Sequence, residues 1–336
     1  MGNVLFLGWE NRSQLPPCRA GSGYGTITHK GSDVRKVKLF KKENVLNVLT
    51  IGVVLKKKKQ GERAETMSAI TQAKRVVIKV GTSTLTYENG KLNLRRIEEL
   101  CRVISDLQNS GMQIVLVSSG AVGVGMGKLG LEKRPSEVEK RQAIAAIGQC
   151  ELMFMYDKLF GEYNQMVAQV LLTADDVSSE RSRVNIENTF TELLKMDIIP
   201  VVNENDTVGV SELVGSNFGD NDTLSAVVAT LVRADLLVIL TDIDGLYDDN
   251  PRVNPQAKRI PFVENITDQI RSLAGSAGTE RGTGGMATKV NAAALANEAG
   301  ISCCVISGVH PRDLYRLFDG AQIGTTFSAA SQAQRW

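Results

Sequence analysis

The chain has 336 residues, 43% of them hydrophobic and 23% charged, which is ordinary globular material long enough for one or two domains with a large core. Five cysteines (Cys18, Cys101, Cys150, Cys303 and Cys304) show no C-x-x-C spacing and indicate neither a zinc ribbon nor a disulfide framework, so a reducing compartment is expected. Only two histidines, His29 and His310, are present, which argues against a histidine-based triad or a His-rich metal site.

The net charge of +2 divides the chain into two unlike parts: residues 1–66 hold 13 Lys and Arg against 5 Asp and Glu, and the remainder is net acidic. The first part contains "PPC", "AGSGYG" and "KKKK" but no sustained helical or strand period. Its apolar run over 45–55 is too short to span a membrane and too far from the start for a signal peptide. The expectation is a basic, disordered extension or translated leader ahead of a true start at Met67, followed by one domain over 67–330. A cytoplasmic location goes with that reading, and an organelle-targeting leader over 1–66 is its alternative.

From residue 75 onward, β-branched runs alternate with longer amphipathic ones. Strands are expected at 75–80 (RVVIKV), 113–118 (QIVLVS), 166–172 (MVAQVLL), 198–203 (IIPVVN), 236–241 (LLVILT) and 302–307 (SCCVIS). Among the helical segments, the one after Asn93 opens on a plausible N-cap and closes at Gly111, and NDTLSAVVATLVRA has apolar residues at helical spacing. Near-continuous apolar strands separated by helices predict an α/β fold: a three-layer αβα sandwich with a mostly parallel central sheet.

Ligands of such sheets sit at the carboxyl ends of the strands. Those ends read KVGTSTLT, SSGAVG, NENDTVG and TDIDGLY, and the glycine-rich RGTGGMATK at 281–289 runs into a late alanine-rich helix. Glycines let backbone N–H groups approach an anion, and a helix N-terminus presents unpaired donors and a positive dipole end. Each feature alone has a bland reading as a turn, but together they point to a phosphate-handling site on one sheet edge. Neither a P-loop nor the protein-kinase signatures occur. One G-x-G-x-x-G, at Gly125, Gly127 and Gly130, would suggest a dinucleotide enzyme, but it starts seven residues past the strand rather than in the strand-to-helix turn.

In order, over roughly residues 74–328, VVIKVGTSTLT, LVSSGAVGVG, PVVNENDTV, GDNDTLSA, ILTDIDGLY and GTGGMATK resemble the glutamate 5-kinases of the amino acid kinase family. The basic first 66 residues lie outside that pattern, and no C-terminal domain like that of RNA-modifying enzymes, which many bacterial members carry, is expected. The resemblance implies phosphorylation of the L-glutamate side-chain carboxylate with ATP and Mg²⁺ as the first step of proline biosynthesis. A carboxylate is already anionic at neutral pH and needs no general base, which fits a chain poor in histidine.

The resemblance further implies roles for single residues. Lys79 and Lys289 would act on the phosphoryl group with Asp222 between them, and Ser119, Asp206 and Asn221 would bind glutamate. Thr241 and Asp242 would belong to the nucleotide site, together with Lys79 and the loop Thr283, Gly284, Gly285, Met286, Ala287, Thr288 and Lys289. Taken alone, Lys79 could equally be a strand-end lysine reaching for water, and Asp222 a carboxylate favoured by a helix N-terminus. The family also implies a homo-oligomer inhibited by proline; no nucleic-acid or membrane partner is expected. The readings from other classes are the dinucleotide-dependent oxidoreductase and a catalytically silent amino-acid-binding regulator.

Overall fold

The computed structural model describes the backbone of residues 24–27 and 35–38 and all of residues 60–209, 220–275 and 285–329. The chain forms two compact units, Met1–Gly61 and Glu62–Trp336. In the first, β1 (Tyr24–Ile27) pairs antiparallel with β2 (Arg35–Lys38). At four residues each, these strands are too short to leave a period in the sequence. The rest of the 1–59 segment, including the apolar run over 45–55, lies outside the described residues.

The second unit opens on a helix that runs to residue 71. Ile70 enters the core and Met67 packs against it, while the buried Thr66 hydroxyl meets that of Ser328 at 2.8 Å. This unit therefore starts at Glu62, ahead of Met67.

Eight strands follow: β3 (Arg75–Val80), β4 (Gln113–Val117), β5 (Val167–Leu172), β6 (Ile199–Glu204), β7 (Leu236–Thr241), β8 (Phe262–Val263), β9 (Ser302–Ser307) and β10 (Thr325–Phe327). They form one sheet in the order β5-β6-β4-β3-β7-β9-β10-β8, parallel throughout except for the antiparallel pair β9 and β10. Strand order reverses at β3, which has β4, β6 and β5 on one side and β7 and β9 on the other; such a switch point is where an open α/β sheet leaves a crevice.

Helices cover both faces, as the strand pattern predicts. On one face Val76, Ile78, Val80, Ile114 and Leu116 pack under the helices Leu94–Asn109, Ala121–Leu129 and Val138–Gly161. On the other, Val77, Val115, Val117, Leu237 and Ile239 pack under Asn221–Leu231 and Met286–Glu298. Asn93 caps its helix as expected, its side chain accepting from the Arg96 N–H at 3.2 Å. Strand alternation then fixes the direction of Lys79. Two residues after Val77, its side chain leaves β3 toward the face of the Asn221–Leu231 and Met286–Glu298 helices.

Candidate active site

At the carboxyl end of β3 that direction brings Lys79 to Asp222, the second residue of the Asn221–Leu231 helix. Lys79 Nζ lies 2.8 Å from Asp222 Oδ1, and Lys289 Nζ, one turn into the Met286–Glu298 helix, lies 3.0 Å from Oδ2. The Thr288 hydroxyl donates to the same Oδ2 at 2.7 Å. Asp222 is fully buried, and both lysines are 6% exposed. Burial by itself would raise the Asp222 carboxyl, but the adjacent Lys79 and Lys289 ammonium groups outweigh it and hold the group well below the usual carboxylate range.

Two cations share one anion, so the cluster is one positive charge in excess. The Met286–Glu298 helix adds to this: its N-cap, Gly285, has no side chain to cap the first-turn N–H groups. Such a helix end beside two ammonium groups suits a polyanion such as a triphosphate. Met286, Ala287 and Thr288 form that first turn, whereas Thr283 and Gly284 lie outside the described residues. Thr241 closes β7, buried, with its hydroxyl donating to Asp242 Oδ1 at 3.1 Å, and Asp242 Oδ2 meets Arg252 at 3.2 Å on the exposed side.

Ser119 follows β4, is buried, and donates to the carbonyl of Val80 at 2.8 Å, beside Lys79. Asn221 is buried immediately before Asp222, and its Oδ1 has no hydrogen-bond partner among the described residues. Asp206 is buried two residues past the end of β6. The structure thus joins Lys79, Asp222, Thr288 and Lys289 directly, and sets Ser119 and Asn221 next in chain or by hydrogen bond to that cluster.

Sequence reasoning passed over three residues here. Asp220 caps the Asn221–Leu231 helix, one oxygen accepting from the Asp222 N–H at 3.1 Å while the other is buried with no hydrogen-bond partner among the described residues. Burial first, and the Asp222 carboxylate second, raise its pKa. An Asp-Asn-Asp run opening a helix was the signal that could have flagged it. Gln149 and Tyr156 left no such signal. They project from the Val138–Gly161 helix onto Asn203 at 2.8 Å and Ser118 at 2.9 Å, across more than thirty residues of chain each.

The dinucleotide reading of Gly125, Gly127 and Gly130 gives way to packing. A Cβ on Gly125 would stand 2.1 Å from the Ile144 carbonyl, and one on Gly127 2.2 Å from the Gly90 carbonyl; Gly130 ends the helix at φ +68. Gly125 admits the backbone of the Val138–Gly161 helix, Gly127 that of the turn at Gly90, and Gly130 is a left-handed helix end, so three separate structural needs account for the spacing.

A mostly parallel αβα sandwich, with two lysines bridged by a buried carboxylate at an uncapped helix end, defines a phosphoryl-transferring enzyme. The sequence model of the amino acid kinase family matches residues 74–307. The chain is 55% identical over 262 residues to glutamate 5-kinase of Clostridium perfringens, which covers 78% of this chain and 97% of that protein. It is 50% identical over 265 residues to glutamate 5-kinase of Listeria monocytogenes serovar 1/2a, covering 79% and 96%. Its fold is similar to that of UMP kinase from Bacillus anthracis, with a TM-score of 0.52 at 17% identity over 76% of this chain and 96% of that one. The chain belongs to the amino acid kinase family and, within it, to the glutamate 5-kinases.

Proposed function

We infer that the chain transfers the γ-phosphoryl group of ATP to the side-chain carboxylate of L-glutamate, giving L-glutamyl 5-phosphate, the first step of proline biosynthesis. The observation that carries this reading is the bridge of Lys79 and Lys289 across the buried Asp222. As a stabilising device it is weak, because buried ion pairs can commonly be replaced by apolar groups without loss. As a device for transfer it is apt: the reaction must bring two anions together and offset charge on the equatorial oxygens of the moving phosphoryl.

In this mechanism the glutamate carboxylate attacks the γ-phosphorus, the bond to the β-phosphate oxygen breaks, and ADP leaves. Lys79 and Lys289 neutralise the phosphoryl, and Asp222 holds their ammonium groups apart and in place. Ser119, Asp206 and Asn221 orient glutamate. Thr241, Asp242 and the segment 283–289 hold the nucleotide. Among the described residues no group of three or more His, Cys, Asp or Glu could hold a metal ion. Mg²⁺, bound with the ATP phosphates, would supply further charge neutralisation there.

Proline has the same α-carboxylate and a cationic nitrogen, so it is expected to compete for the glutamate pocket. A homo-oligomer belongs to the same family reading. No described helix is long and apolar enough to cross a membrane, and a cytoplasmic enzyme is the reading proposed. The catalytic unit is taken to be complete from the helix that carries Thr66 and Ile70 onward, with the preceding basic extension dispensable.

The test is ADP release with glutamate, aspartate or acetylglutamate as acceptor, with hydroxylamine trapping any acyl phosphate as a hydroxamate. Hydroxamate formation with glutamate and only background with the other two is the expected result. Turnover that prefers another acceptor, or reduction of a nicotinamide, would overturn the reading.

A further inference from the structure

We propose that Gln149 is a positioning residue: from the Val138–Gly161 helix it fixes the end of β6 and so sets where Asp206 meets the acceptor. The proposal rests on the reading of Ser119 and Asp206 as the glutamate-binding side.

Asn203 is 1% exposed, one residue from the end of β6. Its Nδ2 donates to Gln149 Oε1 at 2.8 Å, and its Oδ1 accepts from the Glu204 N–H at 2.9 Å. A side-chain amide has one donor end and one acceptor end, and here each has a single matching partner. Rotating the Asn203 amide by half a turn would put its NH₂ against the Glu204 N–H and its oxygen against Gln149 Oε1. The Glu204 N–H can only donate and so fixes the Asn203 oxygen, while Gln149 Oε1 takes the NH₂ on the other side and ties β6, just ahead of the backbone that leads into Asp206, to the Val138–Gly161 helix.

The same helix grips the other half of the pocket. A Cβ on Gly148 would stand 1.8 Å from the Ala121 carbonyl and 2.5 Å from the Gly125 nitrogen, so the Val138–Gly161 helix lies directly on the helix that follows Ser119. Two turns further on, the Tyr156 hydroxyl meets Ser118 Oγ at 2.9 Å. Burial raises the Tyr156 pKa, which keeps that hydroxyl protonated. One helix thus holds the ends of β4 and β6 by neutral buried contacts, and the span it fixes is the one a five-carbon acceptor must bridge.

Gln149→Met keeps the volume and removes the acceptor. It should raise the KM for glutamate about tenfold, the size of one lost hydrogen bond, with kcat and the KM for ATP within about twofold and the melting temperature little changed. Gln149→Glu restores an acceptor and should bring the glutamate KM back toward the parent value. A purely structural role would move both KM values and the melting temperature together, and that outcome would overturn the proposal. Tyr156→Phe, which keeps its packing, carries the same test at β4 if the methionine variant does not fold; an unchanged glutamate KM there overturns it equally. Asp206→Asn is run beside them. A raised glutamate KM in Asp206→Asn with none in Gln149→Met sinks this inference alone, whereas no change in either sinks the reading of the pocket as well.

Discussion

On one face of the sheet the helices Ala121–Leu129 and Val138–Gly161 meet through Gly125 and Gly148, while on the other Asn221–Leu231 and Met286–Glu298 meet around Asp222 and two lysines. The first pair is held by close backbone packing, with one exposed ion pair between Lys128 and Glu151 at its rim, so its geometry depends little on pH and salt. The second is held by buried charge, which is strong only while every partner is present. A phosphotransferase has use for both: a fixed frame for the acceptor, and a charged frame that answers to the phosphoryl.

The sharpest way to break the contrast is Asp222→Ala. It leaves two ammonium groups buried without their shared anion, which should cost about 3–5 kcal/mol of stability, and activity should fall to background. The depressed Asp222 carboxyl gives a matching pH signature. Its contribution is present above the ordinary aspartate range, near pH 4, and is lost as pH falls below it toward the folded-state value. Denaturant titrations from pH 7 down to 3 should show the parent losing part of its advantage over Asp222→Ala on the acid side; a constant gap would contradict the assignment.

Lys79→Ala and Lys289→Ala come next. Each keeps one ion pair, so the fold should survive, but one preorganised electrostatic contact on the moving phosphoryl is gone and kcat should drop by roughly 10²–10³. A variant in which only KM rises would show that the lysine binds the ground state and transition state alike. The neutral face answers differently. Gly148→Ala drives a methyl into backbone atoms that cannot step aside, with an expected loss of about 1–3 kcal/mol and an effect on the melting temperature that is the same at low and high salt. If the two faces lost stability with the same salt dependence, the contrast would fail.

How far the sequence reveals these frames follows from what each is made of. Six strands and the Asn93 cap are legible because each is a local pattern, an apolar run or a polar residue at a helix start. Strands β8 and β10, two and three residues long, carry no period and exist because β9 offers β10 an edge. Lys79, Asp222 and Lys289 are visible through family motifs: a charge inside the apolar RVVIKV, and charges in the polar GDND and glycine-rich GTGGMATK that open two helices. The glycines at 125 and 148 read as a ligand fingerprint or as nothing, because the backbone they admit lies on another helix. Gln149, an amide in mid-helix, has a meaning set only by Asn203 on a distant strand.

The smallest expected effect concerns Asp220, where the charged frame is built against stability. Its Oδ1 caps the Asn221–Leu231 helix, but its Oδ2 is buried with no hydrogen-bond partner among the described residues. Burial and the neighbouring Asp222 carboxylate raise its pKa in the fold. A carboxyl with a raised folded-state pKa keeps its proton longer when folded than when unfolded, so stability falls as pH rises from the unfolded value through the folded one. Asparagine caps a helix about as well as aspartate and carries no charge. Asp220→Asn should therefore raise the melting temperature at pH 7 by about 1–2 °C, the scale of a few tenths of a kcal/mol in a domain of this size, and the gain should vanish below about pH 4, where the parent carboxyl is protonated in both states. Calorimetry across that range decides the matter. A loss of stability at pH 7 would mean that attraction to Lys79 and Lys289 outweighs burial, and that Asp220 belongs with Asp222 as a stabilising anion.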